Sequence, residues 1–227
     1  MTAVRPPDYF PRLPYAALLL HADRFVLADT FPFSRQGGHN RARVRTSQGA
    51  QWVTVPRRHA GRPLALRDVA LAAEDWPRRH LAALRSAYGM APFYEHVAPG
   101  LARLLARPYG SLADLACATV EWTAEWLRAP IDVVRASALP GRPDRLADAL
   151  RLSGGGPLLT LPESAETDRA QVEGPVRVLS FREGERRQAF SGFVAGLSVL
   201  DLVFNYGPAS ADVLREGAEV GPPIGPA

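Results

Sequence analysis

The sequence contains no lysine, and all 27 of its cationic side chains are arginines. This absence excludes a Schiff-base lysine, a lysine general base and the lysine of a Walker-A phosphate loop. Chemistry that needs a cation must therefore use guanidinium, which stays charged and binds carboxylates or phosphates through paired hydrogen bonds. A composition bias of the whole genome is the alternative explanation for the missing lysines.

Cysteine and long apolar runs are also scarce. The single cysteine, Cys117, excludes an internal disulfide, and its small apolar neighbours predict a core residue and not a nucleophile. No stretch approaches the about 18 apolar residues that a membrane span needs. The N-terminal residues lack the pattern of a secretory signal. We therefore expect a cytoplasmic protein without a membrane span.

Charge and histidine spacing narrow the choice of ligands. The net charge of +4 is too small to indicate nucleic-acid binding, so an anionic small molecule is the predicted partner. No two of the five histidines stand three or four residues apart, so no metal site is predicted. No cofactor is predicted either, because the sequence has no dinucleotide-binding fingerprint. The sequence does not fix the oligomeric state.

The pattern of apolar residues predicts an α/β fold. Predicted strands cover residues 24–28, 51–56, 64–71, 158–161 and 176–181. Predicted helices cover residues 15–22, 76–88, 92–106, 112–127, 144–152 and 197–204, whereas residues 163–174 are predicted to be a loop. We expect a single domain over residues 1–216: a Rossmann-like parallel or mixed sheet with an inserted or appended helical lobe around residues 74–128. Residues 217–227 are predicted to be a disordered tail.

An arginine cluster beside a Gly-Gly pair is the first candidate site. Its members are Arg35, Asn40, Arg41 and Arg43. Exposed backbone N–H groups and guanidinium forks form a suitable nest for a phosphate or carboxylate. A solvated basic loop is the alternative. If the segment is a strand, Arg41 and Arg43 share one face and Asn40 points to the other.

The helix predicted over residues 76–88 carries the second candidate site. His80 is a candidate general acid or base because its ordinary pKa lies near 6.5. Its neighbour Arg79 and the later Tyr88 are candidate substrate-binding residues. A packing histidine is the alternative, since Trp76 and Leu84 share the helix face of His80.

Carboxylates supply the remaining candidates. Asp201 and Asn205 stand four residues apart on an apolar helix, where an unpaired carboxylate is costly to bury. We expect Asp201 to form an ion pair with an arginine of the cluster. The alternative is that Asp201 and Asn205 together bind the substrate. Asp8 and Asp29 are candidate catalytic acids or ligands near strand ends, where α/β folds gather their sites.

Four segments in order resemble the WbqC-like protein family. They are residues 7–15 (Pro-Asp-Tyr-Phe-Pro-Arg-Leu-Pro-Tyr), 22–56, 76–93 and 197–208. The first resembles the family's opening Gln-Pro-Asn-Tyr-Leu-Pro-Trp-Leu-Gly-Tyr run. Pro6, Arg12 and Pro14 stand where that run has Gln, Trp and Gly.

This resemblance implies a Rossmann-like layer with a helical lobe and a role in surface-polysaccharide or natural-product biosynthesis. The expected activity is that of a small-molecule transferase acting on a phosphorylated or carboxylated intermediate, such as a nucleotide-sugar. The altered opening run keeps a second hypothesis open, a non-catalytic binding protein on the same scaffold. Catalysis is favoured if Asp8, Asp29, Asn40, Arg41, His80 and Asp201 line one cleft, and binding is favoured if they scatter.

Overall fold

The computed structural model describes residues 1–58, 64–72 and 75–225. The strands are β1 (Thr2–Arg5), β2 (Arg24–Leu27), β3 (Arg41–Thr46), β4 (Gly49–Thr54), β5 (Asp132–Arg135), β6 (Leu158–Thr160), β7 (Val176–Phe181) and β8 (Ala218–Val220). The helices are α1 (Leu13–His21), α2 (Trp76–Tyr88), α3 (Tyr94–Leu105), α4 (Leu112–Trp126), α5 (Leu146–Leu152), α6 (Pro162–Arg169), α7 (Val199–Tyr206) and α8 (Ser210–Gly217).

A mixed sheet of six strands forms the centre of the fold, in the order β5-β2-β1-β6-β7-β8. The pairs β5–β2, β2–β1, β1–β6 and β6–β7 are parallel, and β8 runs antiparallel to β7. The chain moves from β1 to one side through β2 and later returns to the other side with β6. A switch point therefore lies between β1 and β6, where α/β sheets commonly bind ligands at the carboxyl ends of their strands.

The strands are covered on both faces, as their continuous apolar runs require. Ala3 and Phe25 belong to a large cluster shared with α1, α4 and α7. Their neighbours Val4 and Val26 belong to a second cluster with α5. This alternation follows the two-residue period of a strand. The prediction of an α/β fold with a mixed sheet is confirmed.

Helices α2, α3 and α4 occupy most of the stretch predicted as a helical lobe, and their buried side chains join the same cluster as the sheet. The hairpin of β3 and β4 is a separate two-stranded sheet that contacts α2 and α7. Cys117 of α4 is fully buried, as the sequence predicts. No helix in the described part of the chain has the length and apolar character needed to cross a membrane.

Two predictions about local structure are wrong. Residues 64–71 form no strand; they contain a 3-10 turn at Leu66–Asp68, flanked by isolated bridges from Ala65 and Leu71. Residues 163–174 are not all loop, because α6 begins at Pro162. This helix has Pro in its first turn, Glu163 near its start and Arg169 in its last turn, which are ordinary helix signals. The prediction missed the helix because most of its residues are polar and lie on the surface, so they show no apolar periodicity.

The chain end also differs from the prediction. Residues 218–220 form β8, in which Ala218 pairs with Phe181 at the edge of the sheet. Ile224 then makes a further bridge to Val176. Backbone pairing orders this segment although its sequence is rich in Gly and Pro. Residues 226 and 227, the last of the predicted tail, lie outside the described residues.

Candidate functional site

A pocket of about 350 Å³ opens at the switch point of the sheet. Arg5 at the end of β1 and Leu161 just after β6 form its floor, and residues of the segments before and within β3 form a wall. Its volume lies in the range of small-molecule sites. The charged side chains that line it are Arg5, Asp8, Arg12, Arg41 and Arg43, together with His39.

The loop between β1 and α1, residues 6–12, carries Asp8 into the pocket. Most of this loop is buried, so its backbone polar groups need partners. Thr119 of α4 supplies two: its hydroxyl accepts from the Phe10 N–H at 3.1 Å, and it shares its proton between the Asp8 carbonyl at 3.1 Å and the Ala116 carbonyl at 2.8 Å. Tyr9 N–H donates to the Gly38 carbonyl at 2.9 Å. The loop is therefore held in place by both α4 and the segment before β3.

Asp8 and His39 form a buried pair at the pocket. His39 Nδ1 lies 3.0 Å from the Pro7 carbonyl oxygen and 3.5 Å from Asp8 Oδ1. A carbonyl only accepts, so Nδ1 carries the proton and donates it, which leaves the lone pair of the neutral ring on Nε2. No hydrogen bond to Nε2 is present among the described residues. An imidazole of this kind accepts a proton, and Asp8 stabilises the resulting cation.

The Gly-Gly pair makes room for these two side chains. A Cβ at Gly37 would stand 2.3 Å from His39 Nε2, and a Cβ at Gly38 would stand 2.8–2.9 Å from three carboxylate atoms of Asp8. Neither glycine has a positive φ. Close approach, and not an unusual turn, is therefore the reason that the site needs glycine here.

The arginines of β3 line the pocket beside an aromatic residue. Arg43 pairs with Trp52 across the hairpin, and the guanidinium carbons of Arg41 and Arg43 lie 4.6 and 5.8 Å from the centre of the indole. Their shared face is the one that the strand period predicts. Two further arginines line the pocket: Arg5, 3.4 Å from Asp168, and Arg12, 3.2 Å from Glu163. The pocket is therefore rich in positive charge.

Asn40 and Arg35, the other members of the cluster, lie outside this pocket. Asn40 Nδ2 donates to the Val55 carbonyl at 2.9 Å, and Val55 N–H donates back to the Asn40 carbonyl at 2.7 Å. Asn40 thus closes the open end of the hairpin. Arg35 is exposed in the loop before it. A common site for all four members does not form.

The structure does not bring His80 to the pocket. Its Nε2 donates to the Thr54 carbonyl at 3.2 Å, and its Nδ1 accepts from the Tyr9 hydroxyl at 2.9 Å. Burial lowers the pKa of His80, which keeps the ring neutral, although the bond to Thr54 acts the other way. Both ring nitrogens are used, so this geometry favours packing. Arg79 is exposed on the same helix.

Asp29 and Tyr88 also serve the scaffold. Asp29 Oδ1 accepts from the Ser137 N–H at 2.9 Å, and its other oxygen accepts from the Ser137 hydroxyl. It thereby holds the 3-10 turn after β5. Tyr88 is fully buried and its hydroxyl accepts from Arg45 N–H at 2.8 Å, while burial raises the pKa of this phenol. Catalytic and substrate-binding roles for these residues stay predictions.

Asp201 finds a cationic partner, but not in the expected place. Arg186 Nη2 lies 3.2 Å and Gln188 Nε2 lies 3.0 Å from its carboxylate. Arg45, the buried arginine of β3, instead donates to backbone carbonyls, among them that of Ser191 at 2.7 Å. The expected partner from the cluster is therefore wrong, and Asn205 bonds to the carbonyl of Asp201 at 2.7 Å.

Asp8, Arg41 and Arg43 are thus the predicted residues that the structure brings together. His39, which sequence reasoning passed over, joins them. Its signal was its place between the Gly-Gly pair and the arginines, and helical spacing was the wrong criterion for it. Within the described residues, no three His, Cys, Asp or Glu side chains gather closely enough to hold a metal ion.

Fold and pocket together define an α/β protein with an arginine-lined cavity at the switch point of a mixed sheet. The chain belongs to the WbqC-like protein family, which matches residues 6–213 and confirms the resemblance of the motifs. It is similar to an uncharacterized protein of Mycobacterium tuberculosis (strain ATCC 25618 / H37Rv), 28% identical over 223 residues that cover 94% of this chain and 96% of that protein. No solved structure matches it significantly.

Gly38→Ala tests the packing of the pocket. The added Cβ overlaps the Asp8 carboxylate, so we expect a loss of about 1–3 kcal/mol in the free energy of unfolding. Gly174→Ala is the control, because a Cβ there meets nothing within 4 Å and we expect a change within about 0.5 kcal/mol. Urea unfolding measures both. Equal effects would contradict the close approach.

The pH dependence of stability tests Asp201. Burial raises the pKa of Asp201 to about 6, although Arg186 acts to lower it. Between pH 4 and pH 6 the folded protein therefore keeps a proton on Asp201 that the unfolded chain has already lost. The contribution of this carboxyl to the free energy of unfolding is present below pH 4 and is lost as the pH rises through 6. We expect Asp201→Asn to remove roughly 2–3 kcal/mol of that decline.

Urea unfolding between pH 4 and pH 7 provides the measurement, as the difference between wild type and variant. Asp212→Asn is the control, because Asp212 is exposed on α8 and its replacement leaves the buried network intact. An identical pH profile for wild type and Asp201→Asn would show that Asp201 does not titrate in this range.

Proposed function

We propose that this protein is a transferase that acts on a phosphorylated or carboxylated small molecule in surface-polysaccharide or natural-product biosynthesis. One observation carries the proposal: a pocket at the switch point of the sheet holds four arginines beside the Asp8–His39 pair. Guanidinium forks suit phosphates and carboxylates. The pathway assignment draws on membership of the family.

Trp52 supports a nucleotide-sugar as the class of substrate. Its side chain lines the pocket, and the residue is 46% exposed. The guanidinium groups of Arg41 and Arg43 also contact its ring. An exposed indole offers an apolar surface against which a sugar ring or a base packs. A molecule with a phosphate at one end and a ring at the other would use both properties of this wall.

His39 supplies the proton acceptor of the proposed reaction. As the hydroxyl or amine of an acceptor attacks the donor, its proton moves to His39 Nε2 and its oxygen or nitrogen bonds to the transferred group. The leaving group takes the electron pair of the broken bond, and the arginines stabilise its negative charge. Asp8 stabilises the imidazolium ion, as a carboxylate does beside a histidine base.

The position of the other predicted residues favours a second candidate, a binding protein without catalysis. Asp29, Asn40, His80 and Asp201 do not line the pocket and hold structural bonds instead. This scatter is the arrangement that the sequence analysis associates with binding. Both candidates share the anion-binding pocket, so turnover separates them and affinity does not.

A thermal-shift screen tests the shared part of the proposal. Nucleotides, nucleotide-sugars, acyl thioesters and simple carboxylates are compared, and we expect an anionic member to raise the Tm, since a ligand stabilises the state that it binds. Arg41→Ala should abolish the shift. Arg35→Ala is the control, because Arg35 belongs to the same cluster but lies outside the pocket. No shift with any compound, or equal effects of both variants, would contradict the proposal.

Product analysis of the stabilising compounds tests catalysis. Each is incubated with amine and alcohol acceptors, and products are followed by mass spectrometry. We expect His39→Gln to lower kcat by about 10²–10⁴-fold, the usual contribution of a general base, while the thermal shift is retained. His80→Gln should lower stability but keep turnover below its melting temperature. If His80→Gln loses turnover and His39→Gln keeps it, His80 is the base. If the wild type shows no turnover, the binding protein without catalysis is favoured.

A further inference from the structure

Two residues that line the pocket each carry a buried donor atom without a hydrogen-bond partner. Buried side-chain atoms without a partner in the described structure are Nε of Arg41, Arg45 and Arg186 and Oγ of Ser198 and Ser210. Of these residues, only Arg41 and Ser198 line the pocket. Buried donors are almost always paired, and an unpaired one is costly, so each requires an explanation.

Ser198 is fixed at the junction of three segments. It precedes α7, and its residue is only 1% exposed. Its N–H donates to the Arg43 carbonyl at 2.9 Å, and the next N–H, of Val199, donates to the Pro11 carbonyl at 2.8 Å. A serine at this position commonly caps its helix, but the Ser198 hydroxyl makes no capping bond. The hydroxyl is thus held in position beside the positive end of α7 and remains unused.

The arginines beside Ser198 also keep donors free. Arg41 uses Nη2 for the Gln36 carbonyl at 3.4 Å and lies on Trp52, which leaves its Nε without a partner. Arg43 uses Nη1 for the Gly196 carbonyl at 3.4 Å. A guanidinium has five N–H donors, so contacts that position it still leave donors for a ligand.

We propose that Ser198 Oγ, Arg41 Nε and the guanidinium of Arg43 form a phosphoryl subsite within this pocket. This inference rests on the proposed function and assigns the place of the anionic group. The donors come from two elements, β3 and the start of α7, which adjoin through the hydrogen bond from Ser198 N–H to the Arg43 carbonyl. A tetrahedral phosphoryl group, with three divergent oxygens, meets such donors, whereas a planar carboxylate suits a single guanidinium fork. Asp8 also lines the pocket, and the four arginines there outnumber its single negative charge.

Calorimetric titration of the full chain with pyrophosphate, and separately with malonate, tests the subsite. We expect pyrophosphate to bind, and Ser198→Ala to weaken it about tenfold, since one hydrogen bond to a charged group is lost. Arg41→Lys keeps the charge but removes Nε, and should weaken pyrophosphate similarly. Ser210→Ala is the matched control, because its hydroxyl is also buried and unpaired but lies outside the pocket.

A second readout separates binding from damage to the fold. Ser198→Ala removes an unpaired donor, so the ligand-free variant should melt at the wild-type temperature or above it. A lower melting temperature would show that the hydroxyl serves the scaffold, and would overturn the inference.

The remaining outcomes distinguish the inference from the proposed function. If pyrophosphate binds with equal affinity to the wild type and to both variants, Ser198→Ala and Arg41→Lys, the assignment of the phosphoryl subsite is wrong. The proposal of an anion-binding pocket then still stands. If only malonate binds, the phosphoryl assignment is wrong and the carboxylate form of the proposed function stands. If neither binds at millimolar concentration, both are overturned.

Discussion

The burial of the loop between β1 and α1 is the constraint on which the site depends. A buried loop must find partners for its backbone groups, and residues 6–12 find them on elements far apart in the sequence. Thr119 binds it from α4, Gly38 from the segment before β3, and Val199 from α7. The sheet, the helical lobe and the hairpin are thereby fixed relative to one another. The pocket is the space that remains beside this loop at the switch point.

The same constraint explains the Gly-Gly pair. A side chain at Gly38 would overlap the Asp8 carboxylate, and one at Gly37 would overlap the His39 ring. The close approach brings the Pro7 carbonyl to His39 Nδ1 and so sets which ring nitrogen carries the proton. Backbone packing thus determines the protonation pattern of the site. A replacement of either glycine can therefore change the chemistry without removing any of the polar side chains of the site.

The fold was largely predictable because apolar periodicity reports burial directly. It revealed β2, β6, β7 and most helices, and the two-residue period placed Arg41 and Arg43 on one face. The central strand β1 was missed, because its four residues run directly into a proline-rich loop. The site was only partly predictable because its contacts join distant segments. Nothing local shows that Asp8 meets His39 or that Asp201 meets Arg186. Edge strand β5 was missed because its four residues are at most half-buried, and so their pattern carries little signal.

The contrast between two buried histidines shows what distinguishes a site from a core. His80 has a partner for each ring nitrogen, Tyr9 and Thr54, so every polar atom of the ring is already satisfied. His39 has a hydrogen-bond partner for Nδ1 alone among the described residues. It lines the pocket together with Arg41 and Ser198, each of which has a buried donor atom without a partner. Native interiors rarely leave such groups unpaired. Unpaired atoms also occur outside this pocket, on Arg45, Arg186 and Ser210, so missing partners alone do not mark a site. Those of Arg41 and Ser198 belong to residues that line the same cavity as the Asp8–His39 pair, where a ligand would complete them, whereas complete pairing at His80 indicates a part of the scaffold.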